Sequence, residues 1–241
     1  MFGLFSFGLP GIVLMAAAIT HFMSRRPDGY WLWIIIFLGP LGSLIYLAVE
    51  ALPELRDPGA FKFVSRGRRI RELEMAVRDN PSAGNYEELG QQYLDKGQWE
   101  KARACFDRAL AQRADAVDPF YRRALAELQL GDFSAAIQDL ERVVRTEPDY
   151  DIHRAAGLLA WAYARTGRNE QAQALFSRTL QTSTLTETQY RYAEFLASQG
   201  ERAEARQWAK RILDKRAGMP GFQRRNERLW FRQAKTLLSR L

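Results

Sequence analysis

The stretch Tyr86-Glu-Glu-Leu-Gly90-Gln-Gln-Tyr93-Leu-Asp-Lys-Gly97-Gln-Trp99-Glu-Lys-Ala102-Arg-Ala-Cys-Phe106-Asp-Arg-Ala109-Leu110 decides the fold. On either side of Gly97, apolar residues recur three and four positions apart, the spacing of two amphipathic helices joined by a turn. Gly97 can end the first helix at positive φ without steric cost. Gly90 and Ala102 are small where paired helices must approach. Tyr93 and Phe106 have the bulk to fill the space between them.

The pattern returns along the chain. Gly97, Gly131, Gly167 and Gly200 are separated by 34, 36 and 33 residues. The second copy keeps Phe120, Ala124, Gly131, Phe133, Ala136, Leu140 and Pro148. The third keeps Leu159, Ala160, Tyr163, Gly167, Ala172, Phe176 and Leu180, and the fourth Tyr192, Ala193, Leu196, Gly200, Ala205, Ile212 and Leu213. Such units cannot bury their apolar faces singly, so copies in register predict an all-α solenoid of about four helix pairs over residues 83–216. Ile70 to Asp79 has helical spacing and is stopped by Asn80-Pro81, so residues 70–82 read as an N-terminal capping helix. Met219-Pro-Gly221 interrupts the chain. Residues 217–241 then read as a basic C-terminal cap, a helix from Arg224 to Leu241 with Trp230, Ala234, Leu237 and Leu241 on its apolar side.

These repeats resemble the tetratricopeptide repeat family over residues 83–216. In that family the first helix of each repeat lines an extended concave groove. By that resemblance the groove positions here are Glu87, Gln91, Tyr121, Leu125, Leu128, Trp161, Arg165, Tyr190 and Glu194. The implied function is a protein-interaction scaffold holding a partner segment. Aromatic and Arg anchors suit such a groove, although the same rings serve equally well as inter-repeat packing. The Lys and Asn residues with which the family's chaperone-tail binders hold a peptide carboxylate are absent. Glu87, Gln91 and Tyr121 stand in their place, so a chaperone C-terminus is not the expected partner.

Hydrophobic residues are 47% of the 241 and crowd the first fifty positions. Phe2–Met23 and Tyr30–Val49 carry no Asp, Glu, Lys or Arg, and each has about the 20 residues that cross a bilayer core. Residues 1–52 therefore read as a two-span transmembrane hairpin in a cell membrane. The polar turn Ser24–Gly29 lies between the runs, and Tyr30, Trp31 and Trp33 sit where interfacial aromatics belong. A cleaved signal peptide would carry a basic residue before its apolar run, and none precedes Arg25. Basic loops stay cytoplasmic. The flank holding Arg56, Lys62, Arg66, Arg68, Arg69 and Arg71 therefore places the repeats inside, although Arg25 and Arg26 of the turn pull the other way. Pro40 predicts a kink near Gly39-Pro40. Residues 53–69, with two prolines and a glycine between Leu52 and Gly59, read as a basic juxtamembrane linker. There Lys62, Arg66, Arg68 and Arg69 would meet lipid headgroups.

Trp33-Ile-Ile-Ile-Phe-Leu-Gly-Pro40-Leu-Gly42-Ser-Leu-Ile-Tyr46 resembles the N-terminal two-helix segment of cardiolipin synthases and related phospholipase D-type proteins. That resemblance implies an anchor in the inner membrane and no chemistry, because neither His21 nor His153 is followed by the family's catalytic pattern. A non-catalytic role in regulating membrane lipid assembly is the alternative function it implies.

Other chemistry is thinly represented. With two histidines, one cysteine, no phosphate-binding glycine loop and no zinc spacing, the sequence predicts no enzyme, metal or cofactor. The net charge of +7 is concentrated from Arg202 onward, where twelve basic residues face three acidic ones. That end suits anionic lipid, an acidic protein or simply a solvated helix face, and beside a membrane anchor no nucleic-acid partner is expected.

Overall fold

The computed structural model describes residues 9–25, 29–51 and 58–241. The chain divides into two compact units, residues 1–69 and 70–241.

In the first unit, α1 (Leu9–Arg25) packs against α2 (Tyr30–Tyr46), which runs on into a π-helical turn, Leu47–Ala51. Among the described residues one apolar helix, Tyr30–Val49, has the length and composition to cross a membrane; Gly11–Met23 is shorter. The two-span expectation is not supported: the first run, Phe2–Met23, lies partly outside the described residues, and α2 is not a continuous rod. Gly39 adopts φ 58° and ψ −131°, a conformation essentially restricted to glycine. The helix reverses there. Trp31 and Tyr46, fifteen residues apart, bring their ring centroids to 5.5 Å. A straight helix would hold them about 22 Å apart at 1.5 Å per residue. The expected kink is thus a complete fold-back. A Cβ on Gly42 would lie 2.1 Å from the Ile34 carbonyl oxygen, so only glycine permits the approach of the two limbs.

Tyr46 is fully buried at the open end of this hairpin, edge-on to Trp31 and hydrogen-bonded at 2.8 Å to Nδ1 of His21. His21 is therefore held by a hydroxyl inside the unit. The next helix, α3 (Pro58–Asp79), begins within the segment read as a linker. Proline is tolerated in the first turn of a helix, where its missing N–H is not needed. Of the cations assigned to headgroup contact, the side chains of Lys62 and Arg66 lie outside the described residues, and Arg68 and Arg69 are exposed.

The second unit is an α-solenoid. Its helix pairs are α4 (Ala83–Asp95) with α5 (Trp99–Gln112), α6 (Val117–Leu130) with α7 (Phe133–Thr146), α8 (Arg154–Arg165) with α9 (Asn169–Thr182), and α10 (Thr186–Ser198) with α11 (Arg202–Lys215). The four period-marking glycines all adopt positive φ, between 71° and 86°, and each turns the first helix of a pair into the second. Gly90 has the Phe106 ring against it, where a Cβ would come within 2.9 Å, and Phe106 is fully buried. Ala124, Ala136, Ala160, Ala172, Ala193 and Ala205 are likewise fully buried, so small residues line the helix contacts throughout.

Both ends are capped. From Ile70 onward α3 buries Ile70 and Leu73 beside Leu89, Tyr93 and Phe106, and Tyr93 donates a 2.6 Å hydrogen bond to Glu74. At the other end the expected single helix is two, α12 (Gly221–Asn226) and α13 (Arg228–Arg240). Phe231 and Ala234 are buried against Ile212, whereas Trp230 is half-buried against Tyr190. The apolar face is therefore rotated from the one read in the sequence. A contact between Glu227 and Thr186 ties the start of α13 to α10.

An ion cluster lies between the first two pairs. Arg123 donates two 2.7 Å bonds to Asp139 and a third to Asp107. Glu127, one turn along α6, is buried with one carboxylate oxygen unpartnered. Burial, then the Asp139 charge, pushes its carboxyl up to about 7, against the ordinary 4.5.

Two predictions follow from these contacts. Phe106→Ala should lower the unfolding free energy of fragment 64–241 by about 3–5 kcal/mol in urea titrations. An acid whose folded pKa is raised binds more protons folded than unfolded, so it costs stability as pH rises. Wild-type stability should therefore fall between about pH 4.5 and pH 7, by up to about 3 kcal/mol. Glu127→Gln should flatten that slope, and an unchanged slope would show that Glu127 is not its source.

Candidate groove on the concave face

The first helices of the four pairs line one continuous groove of about 640 Å³. Its apolar lining includes Leu94, Leu125, Leu128, Leu158 and Trp161. Asp95, Asp118, Arg122, Asp151, Arg154, Glu187 and Arg191 supply the charge. Polar and apolar groups thus converge in one concavity, as binding sites require.

The charged side is a ladder built on the repeat period. Arg154 donates to the Tyr121 hydroxyl at 3.2 Å and to Glu187 at 2.8 Å. Each partner is 33 residues away, so Tyr121, Arg154 and Glu187 occupy the same register position in three successive repeats. Arg191 adds a 2.8 Å bond to Glu187 from the next turn of α10. Burial alone would raise the Glu187 carboxyl; Arg154 and Arg191 outweigh it and hold the group below the usual carboxylate range. The Tyr121 hydroxyl donates to Asp151 and is pushed well above its ordinary value, first by burial. It is neutral at any physiological pH. A second pairing, Tyr150 to Asp118 at 2.6 Å, lies beside the first, with Asp118 also bonded to Arg122.

Asp151 reaches Tyr121 from an unusual loop. Asp151, Ile152 and His153 all have positive φ, 50°, 55° and 63°, although none is glycine. Three consecutive left-handed residues, one of them β-branched, are costly. The bonds from Tyr121 and Arg154 to Asp151 hold the loop in place.

Trp161 is half-buried between repeats. Arg191 lies over its face at 3.6 Å and the Phe133 ring meets it edge-on at 5.2 Å. Its indole nitrogen is buried without a hydrogen-bond acceptor. Trp161 therefore serves both the groove lining and the packing between repeats.

Of the nine positions carried over from the sequence, Gln91, Tyr121, Leu125, Leu128 and Trp161 line the groove. The other four do not. Glu87 pairs with Arg113 at 2.8 Å, and Arg165 lies over the Phe133 ring. Tyr190 packs on Trp230 of the C-terminal cap and is bonded to Glu194. The cap thus covers part of Tyr190, while Glu194 stays exposed. Sequence reading missed Asp151, Arg154, Glu187 and Arg191. Their signal was present in the 33-residue register, but it is one of charge complementarity and not of apolar period.

Arg154→Met leaves Glu187 with Arg191 alone. Because Glu187 is depressed in the folded state, its contribution is present above its unfolded pKa and is lost as pH falls through the folded value. The variant should be less stable than wild type by about 1–3 kcal/mol at pH 7, the value being moderated by the partial exposure of Arg154. The difference should shrink below about pH 4. Thermal unfolding at the two pH values measures it.

Known proteins resemble the repeat array. Two family models, each described as tetratricopeptide repeat, match residues 89–160 and 158–220. A 64-residue stretch is 44% identical to tetratricopeptide repeat protein 16 of Homo sapiens, covering 27% of this chain and 7% of that protein. The chain therefore spans only a small part of the length of the curated relatives it matches. Among solved structures, MamA (residues 41 to the end) of Desulfovibrio magneticus RS-1 superposes with a TM-score of 0.60 at 17% identity, over 70% of this chain and 97% of that one. YrrB, described as a TPR protein with an unusual peptide-binding site, gives 0.55 at 17% identity over 82% and 91%. At such identities the structures establish the fold alone.

Proposed function

Because this chain belongs to the tetratricopeptide repeat family through residues 89–220, we propose that it is a membrane-anchored interaction scaffold that holds a segment of a partner polypeptide in its concave groove. The observation that carries this reading is the groove itself, with leucine and tryptophan side chains beside a mixed-charge ladder across successive repeats. An amphipathic helix or an extended peptide offers both kinds of surface. A groove of this kind is compatible with the peptide-binding site for which YrrB is described. Leu125, half-buried and apolar, is the contact best placed to discriminate among partners, since Arg122 and the ladder residues are already paired.

Membrane attachment is the second part of the proposal. It rests on the uncharged run Tyr30–Val49 and on the exposure of its apolar side chains, with the repeats on the cytoplasmic face. The alternative, a regulatory role in lipid assembly, draws only on the sequence likeness of residues 33–46.

A photo-reactive residue at position 125 of the full chain should form adducts with a partner polypeptide. The same residue at Arg145, exposed on α7, should form none. Leu125→Glu should weaken partner capture by fragment 64–241 tenfold or more, about 1.4 kcal/mol, and shift its melting temperature by only a few degrees. Equal adducts at positions 125 and 145, or capture unaffected by Leu125→Glu, would remove the groove as the binding site.

A further inference from the structure

We propose that residues 30–51 form a re-entrant hairpin that enters and leaves the same face of a lipid bilayer, with the hydrocarbon of a single leaflet against its outer surface. The inference rests on the membrane reading above and specifies how the attachment is made. Its first support is length. The limb from Tyr30 to Leu38 has nine residues before the reversal at Gly39, about 14 Å of helix, against about 30 Å for a whole hydrocarbon core. It matches one leaflet.

The second support is the chemistry of the turn. Irregular backbone in hydrocarbon is tolerated only where its polar groups are satisfied or sheltered. Here the break falls at Pro40, which has no N–H to leave unpaired, and the Ser43 hydroxyl donates to the Gly39 carbonyl at 3.0 Å. Gly39, Gly42 and Ser43 are all buried. A turn facing water would need none of these devices. Around it the outward side chains are apolar: Phe37 is 76% exposed and Leu41 62%, with Ile36, Leu38 and Leu44 beside them. Tyr30 and Trp33 are exposed nearer the open end, at the level of an interface.

The third support is charge. A straight span from Tyr30 to Val49 sets Arg25 and Arg26 on the opposite face from Arg66, Arg68, Arg69 and Arg71, against the rule that short basic flanks stay together in the cytoplasm. A re-entrant hairpin returns the chain to the side it left, and both basic flanks then lie on one face. The conflict in the sequence disappears.

The test is cysteine accessibility in the full-length protein, in right-side-out and inverted membrane vesicles, with a membrane-impermeant maleimide. Gly29→Cys has open space around it, and Arg68→Cys is exposed. The native Cys105 is buried and supplies the unlabelled background. Labelling of both positions in the same vesicle type, with the protein sedimenting in carbonate-washed membranes, is the expected result. Labelling in opposite vesicle types would establish a straight span and overturn the hairpin, leaving membrane attachment intact. Protein in the soluble fraction would overturn attachment and hairpin together. Gly42→Leu, which cannot accommodate the Ile34 carbonyl, should move the Arg68→Cys label to the other vesicle type or drive the protein to degradation. Unchanged same-side labelling at wild-type abundance would count against the close limb contact on which the hairpin rests.

Discussion

Close approach of helices, made possible by small residues set against large rings, is the constraint on which the rest of this molecule depends. A helix pair of this length has too little apolar surface to be stable alone. It must present one face to its partner helix and another to the next pair. Gly90 under Phe106 and the fully buried alanines allow the first contact. The left-handed glycines at 97, 131, 167 and 200 reverse the chain quickly enough to allow the second. Stacking then leaves the first helices along one side, and the groove is a consequence of that stacking.

The groove gains order from a polar ladder at one register position of successive repeats. Tyr121, Arg154 and Glu187 bond to one another because stacking sets equivalent positions side by side. Such a ladder ties neighbouring pairs together while leaving Leu125 and Arg122 half-exposed. It also accounts for the left-handed loop at 151–153, since Asp151 must leave regular geometry to reach Tyr121. The cost of that loop is offset by charge-assisted hydrogen bonds.

The N-terminal unit uses the same device for a different end. Gly42 lets two limbs meet as Gly90 lets two helices meet, but the outward surface there is apolar instead of charged. A small residue at the contact and a glycine-only conformation at the reversal recur in both units. Surface composition separates the two units, apolar side chains facing outward around the limbs and charged ones along the helix pairs.

The sequence alone determined the solenoid, its period and its turns, because glycine at positive φ and the alternation of small and large apolar residues are local requirements. Resemblance to the repeat family, carried onto that period, assigned Tyr121, Leu125, Leu128 and Trp161 to the groove, and they line it. Tertiary structure decided what composition could not. Tyr190 and Glu194 satisfy the same register, yet α13 packs Trp230 on Tyr190, a contact between elements distant in sequence. The rotation of the C-terminal cap that buries Phe231 was set by the shape of the last repeat, not by helical period. Arg154 and Glu187 carry no apolar-period signal, and only stacking joins them. Hydropathy over Tyr30–Val49 measures only how apolar a segment is, and so read as a span; the backbone at Gly39 and the absent donor at Pro40 reversed it.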